Sequence, residues 1–519
     1  MGRTLSKLVI LAARAVQSQL PVGTFGQLRY ASRPFGTPGV LQSEPVQNAR
    51  SARVMASGSG DTGRDVAAES AQYRQRHAEP ESSVASLCPG TFDFVLVVPV
   101  YGESPDFVDG FRAAAGQAGR LLLVVVLNGR GGATATVHSA NDGCFRALSR
   151  RFALRALGPG SWLGHETDPT GTPGAPESRL SVLVVDRFTP GRRLPARQGV
   201  GLARKIGADV ALELIVAGGV RHPYIAMTDA DARLPEDYFA RIAAIEPGCS
   251  GAMFPFWHEP GGERQMDRAT ALYEIRLRYF QRGLQWAHSP YAFHTVGSTM
   301  VVDALSYALV RGVPKRRAGE DFYLLNKLSK LRPLAHLQGA PIRLRSRLSE
   351  RVPFGTGSES AKLVRGAELE LYHPDCFTAV RQLMQVLRRL SGAGAAPGST
   401  VSRPVVSDLL AAMNPVVRRF LEHQGALDAW PGIVAQAPSP VARLRRLHDW
   451  FDGFRTLKLI HHLRDGGSPS LPWKEAVRRA PFMDEVDVGD DGATLMTTRT
   501  GLLRLEQDLP QLIGPSVEE

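Results

Sequence analysis

The chain has 519 residues, 43% hydrophobic, 22% charged and 7% aromatic, a composition that excludes global disorder, a collagen-like fibre and a disulfide scaffold. Its net charge is +12, but only 8 of its 62 basic residues are Lys and the Arg excess accompanies 52 Gly and 36 Pro, so part of it reflects GC-rich coding. No helix-turn-helix, zinc-finger or RNP-like pattern accompanies the charge, so no nucleic-acid partner is expected; no apolar run reaches the roughly 18 to 20 residues of a membrane span.

Residues 1–88 lack apolar periodicity, carry polar clusters such as ASGSGDTGRD and read as a disordered tail. The basic start MGRTLSKLVILAARAV would also suit a transit peptide or an upstream start codon. From Phe92 onward the runs FDFVLVVPVY, LLLVVVLNG, LSVLVVD and YIAMTDAD alternate with helix-like or glycine-rich segments. Continuous apolar runs suit parallel strands covered on both faces, so residues 89–365 are expected to form an α/β domain with a mostly parallel sheet and helices on both faces. GPGSWLGHETDPTGTPGAPES reads as an exposed insertion loop, and Arg264 to Trp286 as an amphipathic helix. Residues 366–519 turn to helical pieces between Pro/Gly loops, a helical C-terminal region. The four cysteines, Cys88, Cys144, Cys249 and Cys376, have neither zinc-site nor disulfide-framework spacing, which suits a reducing compartment.

The segment YIAMTDADARLPEDYF, residues 224–239, carries the first chemistry. An apolar strand runs into Asp229-Ala230-Asp231, and strand alternation is expected to send both carboxylates from one face. Ligands of open α/β sheets bind beyond the carboxyl ends of strands, and hard oxygen ligands there suit Mg²⁺ or Mn²⁺ bridging a diphosphate. Further on, VGSTMVVDALSYALVRGVPKRRAGEDFYLLNKLSKL places Glu320 and Asp321 at the start of an expected helix, where acidic residues also favour the helix dipole.

The order of PVYGE, LNG, GVGLARKIGADVA, YIAMTDAD, VGSTMVV and GEDFYLLNKL resembles the nucleotide-sugar glycosyltransferases of family 2, which have the GT-A fold, over about residues 92–335. That resemblance implies a Rossmann-like GT-A domain and a soluble, non-processive enzyme. It would move a sugar from a nucleotide-diphosphate donor to an acceptor hydroxyl, with inversion and with Mg²⁺ or Mn²⁺. It implies that Pro99, Tyr101, Glu103 and Asn128 lie near the base and ribose, with Asn128 standing where the family commonly has Asp. Arg204 and Lys205 would contact the diphosphate and Gly297 and Ser298 would approach donor sugar or acceptor. Asp231 would hold the metal with Asp229, and Asp321 would be the general base with Glu320 in support. His336 is the nearest match to a family metal-binding histidine, and a lone histidine is more often structural. Gln385 and Arg388 precede Arg389 where processive members carry Trp, and no membrane spans follow.

Two other functions compete: a sugar-nucleotide nucleotidyltransferase, against which PVYGESPD lacks a glycine-rich basic loop, and a catalytically silent nucleotide-sugar-binding protein. Eleven basic residues between Arg311 and Arg351, against Glu320, Asp321 and Glu350, bracket the expected base. They suit an anionic small-molecule or lipid-headgroup acceptor, with Arg343, Arg345 and Arg347 on one strand face and Gly355 and Gly357 in a bending loop. A cytoplasmic location, or a peripheral one at the membrane surface, follows from these expectations.

Overall fold

The computed structural model describes residues 62–166, 179–346, 361–393, 401–486, 488, 494–507 and 512–513. Its strands are β1 (Phe94–Val100), β2 (Leu121–Asn128), β3 (Arg155–Gly158), β4 (Ser161–His165), β5 (Leu180–Arg187), β6 (Tyr224–Met227), β7 (Ala232–Arg233), β8 (Gly251–Met253), β9 (Phe256–Glu259), β10 (Met300–Asp303), β11 (Leu334–His336), β12 (Ile342–Arg345) and β13 (Leu512–Ile513). A further pair, Glu370–Leu371 with Leu471–Pro472, stands apart.

Along β1 the side chains alternate between two cores. Phe94, Leu96, Val98 and Val100 join one, and Val95 and Val97 the other. Both faces are dry, which is why the run reads as continuously apolar.

Ten strands form one sheet in the order β13-β11-β8-β10-β6-β1-β2-β5-β4-β3, and β7-β12-β9 form a second. The four strands read from the apolar runs are parallel neighbours, as are β8 and β11, while β10, β13, β3 and β4 pair antiparallel. The sheet is therefore mixed, which corrects the expectation of a mostly parallel one. The added strands have two to five residues, too few to show a period in sequence. Part of the expected insertion loop is also strand: β4 pairs with β5 and turns through Gly160 into β3. The rest of that loop, 167–178, lies outside the described residues.

Helices cover both faces. They include α1 (Thr62–Arg76), α2 (Ala135–Arg151), α3 (Val200–Val216), α4 (Arg264–Trp286), α5 (Glu320–Leu331), α6 (Pro374–Gly392), α7 (Gly453–Asp465) and α8 (Thr494–Gln507). The helical C-terminal region has its own apolar core, built on Phe377, Leu383, Trp430 and Ile460 and shared with Leu272, Ile275 and Tyr279 of α4. The described residues form one compact unit. Among the described residues no helix is long and apolar enough to cross a membrane.

Residues 62–88, expected to belong to a tail, are packed structure. α1 and a 3₁₀ helix, Pro80–Leu87, lie on the outer face of α3, with Tyr73, Val84 and Ala85 buried. That apolar burial is joined by polar ties: Asp209 of α3 accepts from the hydroxyls of Tyr73 (2.5 Å) and Tyr307 (2.7 Å) and from the Glu79 N–H (2.8 Å), while Arg74 forks onto Glu213. A helix docked through hydrogen bonds carries no apolar stripe, so a periodicity reading passes over it.

Candidate functional site

From β1 the chain adds β2 and β5 on one side and then crosses to the other side of β1 to lay down β6. The order reverses between β1 and β6, and crevices at such switch points, outside the carboxyl ends of the strands, are where α/β sheets bind ligands. Tyr101 and Glu103 follow β1 at this end, and Asp229 and Asp231 follow β6. Because β10 is antiparallel to β6 (Val301 opposite Ala226), Gly297 and Ser298 just before it come to the same place. The Thr228 hydroxyl donates to the Ser298 carbonyl at 3.0 Å and fixes that junction.

Arg204 stands at the centre. It projects from the first turns of α3 and is 2% exposed, with one guanidinium nitrogen on Asp229 at 2.7 Å and another on Glu320. Glu320 reaches it because the loop before α5 lies on the start of α3, where the Gly201 N–H donates to the Arg316 carbonyl at 3.2 Å. Gly319 then enters α5 with φ at 74°, a conformation that favours glycine. Burial opposes the charge on Arg204, but Asp229 and Glu320 outweigh it and hold the guanidinium protonated.

The carboxylates feel the converse. Burial raises the proton affinity of Glu320 despite Arg204. Loss of water and the adjacent charge of Glu320 push Asp321 up to about 7, although its Oδ1 accepts the Phe322 N–H at 2.8 Å. One cation thus faces three carboxylates, and the least stabilised is poised to exchange a proton near neutrality.

A Cβ on Gly297 would lie 2.7 Å from a terminal nitrogen of Arg204. Since that guanidinium is held from two sides, Gly297→Ala is expected to break the Arg204 contacts and lower stability by about 3 kcal/mol, the scale of a disrupted buried ion pair. A double-mutant cycle with Arg204→Ala checks this. Gly297→Ala should cost little once Arg204 is gone, and additive effects would show that the glycine acts elsewhere.

The other expected site residues are placed unevenly. Asp229 and Asp231 do not leave one strand face: β6 ends at Met227, and Asp229 opens a turn closed by the Ala232 N–H on its carbonyl at 3.1 Å. Asp229 turns to Arg204, and Asp231 lines a cavity of about 1180 Å³ together with Glu103, Arg233, Glu259, Arg343 and Arg345. Tyr101 carries the Arg130 guanidinium 5.7 Å over its ring.

Three expected contact residues are engaged within the protein. Pro99 is buried within β1; it lies beyond the β6 pairing, which ends at Val97 opposite Met227, so its missing N–H breaks no ladder bond there. Asn128 is buried and stitches strand ends, donating to the Val100 carbonyl at 2.8 Å, while the Asn141 side chain binds both the Gly102 N–H and the Asn128 carbonyl. Lys205, a neighbour of Arg204 but about 100° around the helix, points to α1 and pairs with Asp209 at 2.8 Å.

His336 is likewise away from the site. It is buried beside Glu506 and His294, and burial pushes it down to about 4. The surrounding network joins Glu274 to Arg278, Arg499 and His258, and Glu506 to His294 at 2.6 Å, tying α8 to α4 and β9.

Among the described residues no group of three or more His, Cys, Asp or Glu is placed to hold a metal ion. Asp229 is engaged by Arg204, so of the expected pair only Asp231 faces the cavity, where a cation such as Mg²⁺ would take its other ligands from substrate phosphates and water. Sequence reasoning missed Arg233 and Glu259, whose only signal is position on the two-residue and four-residue strands flanking β12. No protein-family model and no curated protein matches this chain.

Proposed function

We propose that the protein is a metal-dependent glycosyltransferase of GT-A architecture, moving a sugar from a nucleotide-diphosphate donor to an acceptor hydroxyl. The observation that carries this reading is the buried Arg204 shared by Asp229 and Glu320, with Asp321 raised to about 7 beside them, at the switch point of the sheet. In the proposed reaction the acceptor oxygen attacks the anomeric carbon and passes its proton to the Asp321 carboxylate. The bond from that carbon to the diphosphate breaks, and its electron pair leaves with the diphosphate. A divalent cation held by Asp231 would supply charge neutralisation for the leaving group. Arg204 orients Asp229 and, through Glu320, sets the proton affinity of Asp321. Attack opposite the leaving group inverts the anomeric configuration.

The test is a thermal-shift panel of nucleoside diphosphates with and without Mn²⁺ on wild type and Asp231→Ala. Selective, Mn²⁺-dependent stabilisation of wild type, by about 2.7 kcal/mol at a ligand concentration 100 times Kd, is expected. Asp231→Ala should unfold at the wild-type temperature without ligand and lose the ligand shift, because Asp231 lies at the cavity wall rather than in the core. An unchanged shift in the variant would remove Asp231 from metal binding.

A further inference from the structure

The cavity beside Asp231 has a basic wall that the proposed transfer does not use. In the second sheet Arg343 of β12 lies directly opposite Arg233 of β7, and Arg345 follows two residues on, so it returns to the same strand face. All three arginines line the cavity and are exposed. Like charges directly opposed across two strands destabilise a sheet. The carboxylate near them is Glu259, 4.0 Å from Arg233 and 3.4 Å from Arg343. Among the described residues no carboxylate pairs with the Arg345 side chain. Among the described residues, Glu259 is the one carboxylate paired with these three guanidiniums.

Other carboxylates line the cavity, Glu103, Asp106, Asp109, Asp231, Glu236 and Asp237, and among the described residues none of them is paired with these three arginines. Asp109 is engaged by Arg151 at 2.8 Å, Asp237 faces Arg241 at 3.4 Å, and Asp106 accepts the Ser104 hydroxyl at 2.7 Å. The Arg345 N–H donates to the Asp231 carbonyl at 3.2 Å, so the basic wall adjoins the turn that carries the proposed metal ligand.

We infer that Arg343 and Arg345, with Arg233, hold a phosphate-monoester group of the acceptor. Planar guanidinium forks match phosphate oxygens, and neighbouring same-face strand positions lie about 7 Å apart, a spacing that lets two forks bracket one phosphate. The group gives the opposed arginines a shared counter-charge and lies on the cavity side of Asp231. This deepens the glycosyl-transfer reading and rests on it for the word acceptor; the anion site itself stands on the three arginines. The phosphate belongs either to a small soluble molecule or to a lipid headgroup, and the test separates these sources.

Full-length protein is titrated with glycerol 3-phosphate, with glycerol, and with phosphatidylcholine vesicles with and without phosphatidic acid, in wild type and in Arg343→Ala/Arg345→Ala. The expected result is binding of the phosphate-bearing probe alone, weakened about tenfold or more in the double variant and by rising salt. Preference for glycerol 3-phosphate identifies a soluble source, and preference for phosphatidic acid vesicles a lipid one. A nucleoside diphosphate with Mn²⁺ is titrated into the same samples and should bind both proteins alike, without displacing the phosphate. Failure of both phosphate probes to bind wild type, or unchanged binding in the double variant, overturns the inference while leaving glycosyl transfer standing if the diphosphate binds. Arginine-dependent phosphate binding without any diphosphate binding sustains the anion site and removes the glycosyltransferase reading.

Discussion

Asp321→Asn is expected to lower turnover by about 10²- to 10⁴-fold, the usual contribution of a general base, while leaving nucleoside diphosphate binding intact and making the folded protein more stable at pH 8. The gain in stability follows from the raised proton affinity of Asp321. Its carboxyl titrates near 7 in the folded chain and near 4 when unfolded. Between those values the folded state binds more protons, so stability falls as pH rises through that window and stays lower above it. Asparagine keeps the shape and does not titrate. Its advantage over wild type should be absent near pH 4 and grow to a plateau above pH 7, on the order of 2 kcal/mol because water still reaches the half-exposed carboxyl. Urea unfolding at several pH values and single-turnover kinetics check the two halves. A variant that loses activity and stability together would make Asp321 an ordinary helix-start residue, as would one that keeps near-normal turnover.

That opposition between stability and function marks where the sequence was readable. The four apolar runs became β1, β2, β5 and β6, because strands dry on both faces write their burial directly into composition. α4 spans the residues its periodicity indicated, and α5 begins at the Glu320-Asp321 pair. The site reads partly for the same reason. Residues at strand ends, such as Glu103 and Asp231, follow from knowing where strands stop. Arg204 and Lys205 could not be told apart, since only the neighbours of α3 decide that one side chain meets Asp229 and the other Asp209. Asn128 is ambiguous for a related reason: an amide at a strand end serves a ligand or the backbone equally well, and here its nitrogen donates to the Val100 carbonyl. The basic wall was half legible. Alternation put Arg343 and Arg345 together, but Arg233 and Glu259 arrive through strand pairing that no local pattern carries, and Arg347, Arg351, Gly355 and Gly357 lie outside the described residues.

The segment least legible in sequence supplies the other large expected effect. Tyr73→Ala should destabilise the protein by about 4 kcal/mol, and a chain beginning at residue 89 should be destabilised further still. Tyr73 is 4% exposed, packs edge-on against Tyr307 and bridges Lys205 and Asp209. Truncating a buried aromatic to alanine costs about 3 to 5 kcal/mol. The lost hydroxyl adds a second penalty, because Asp209 is fully buried and burial already raises its proton affinity despite Lys205. Tyr73→Phe separates the two terms, keeping the ring and removing the donor at about 1 to 3 kcal/mol. Beginning at residue 89 deletes Tyr73, the Arg74 fork on Glu213 and the Glu79 N–H together, leaving Lys205 and Asp209 paired only with each other and with Tyr307 on an uncovered face of α3. Since Arg204 is the next residue along that helix, a displaced α3 should also weaken diphosphate binding. Denaturant unfolding of the three variants orders the effects, and a wild-type midpoint for the chain beginning at residue 89 would show that the polar contact contributes nothing to the fold.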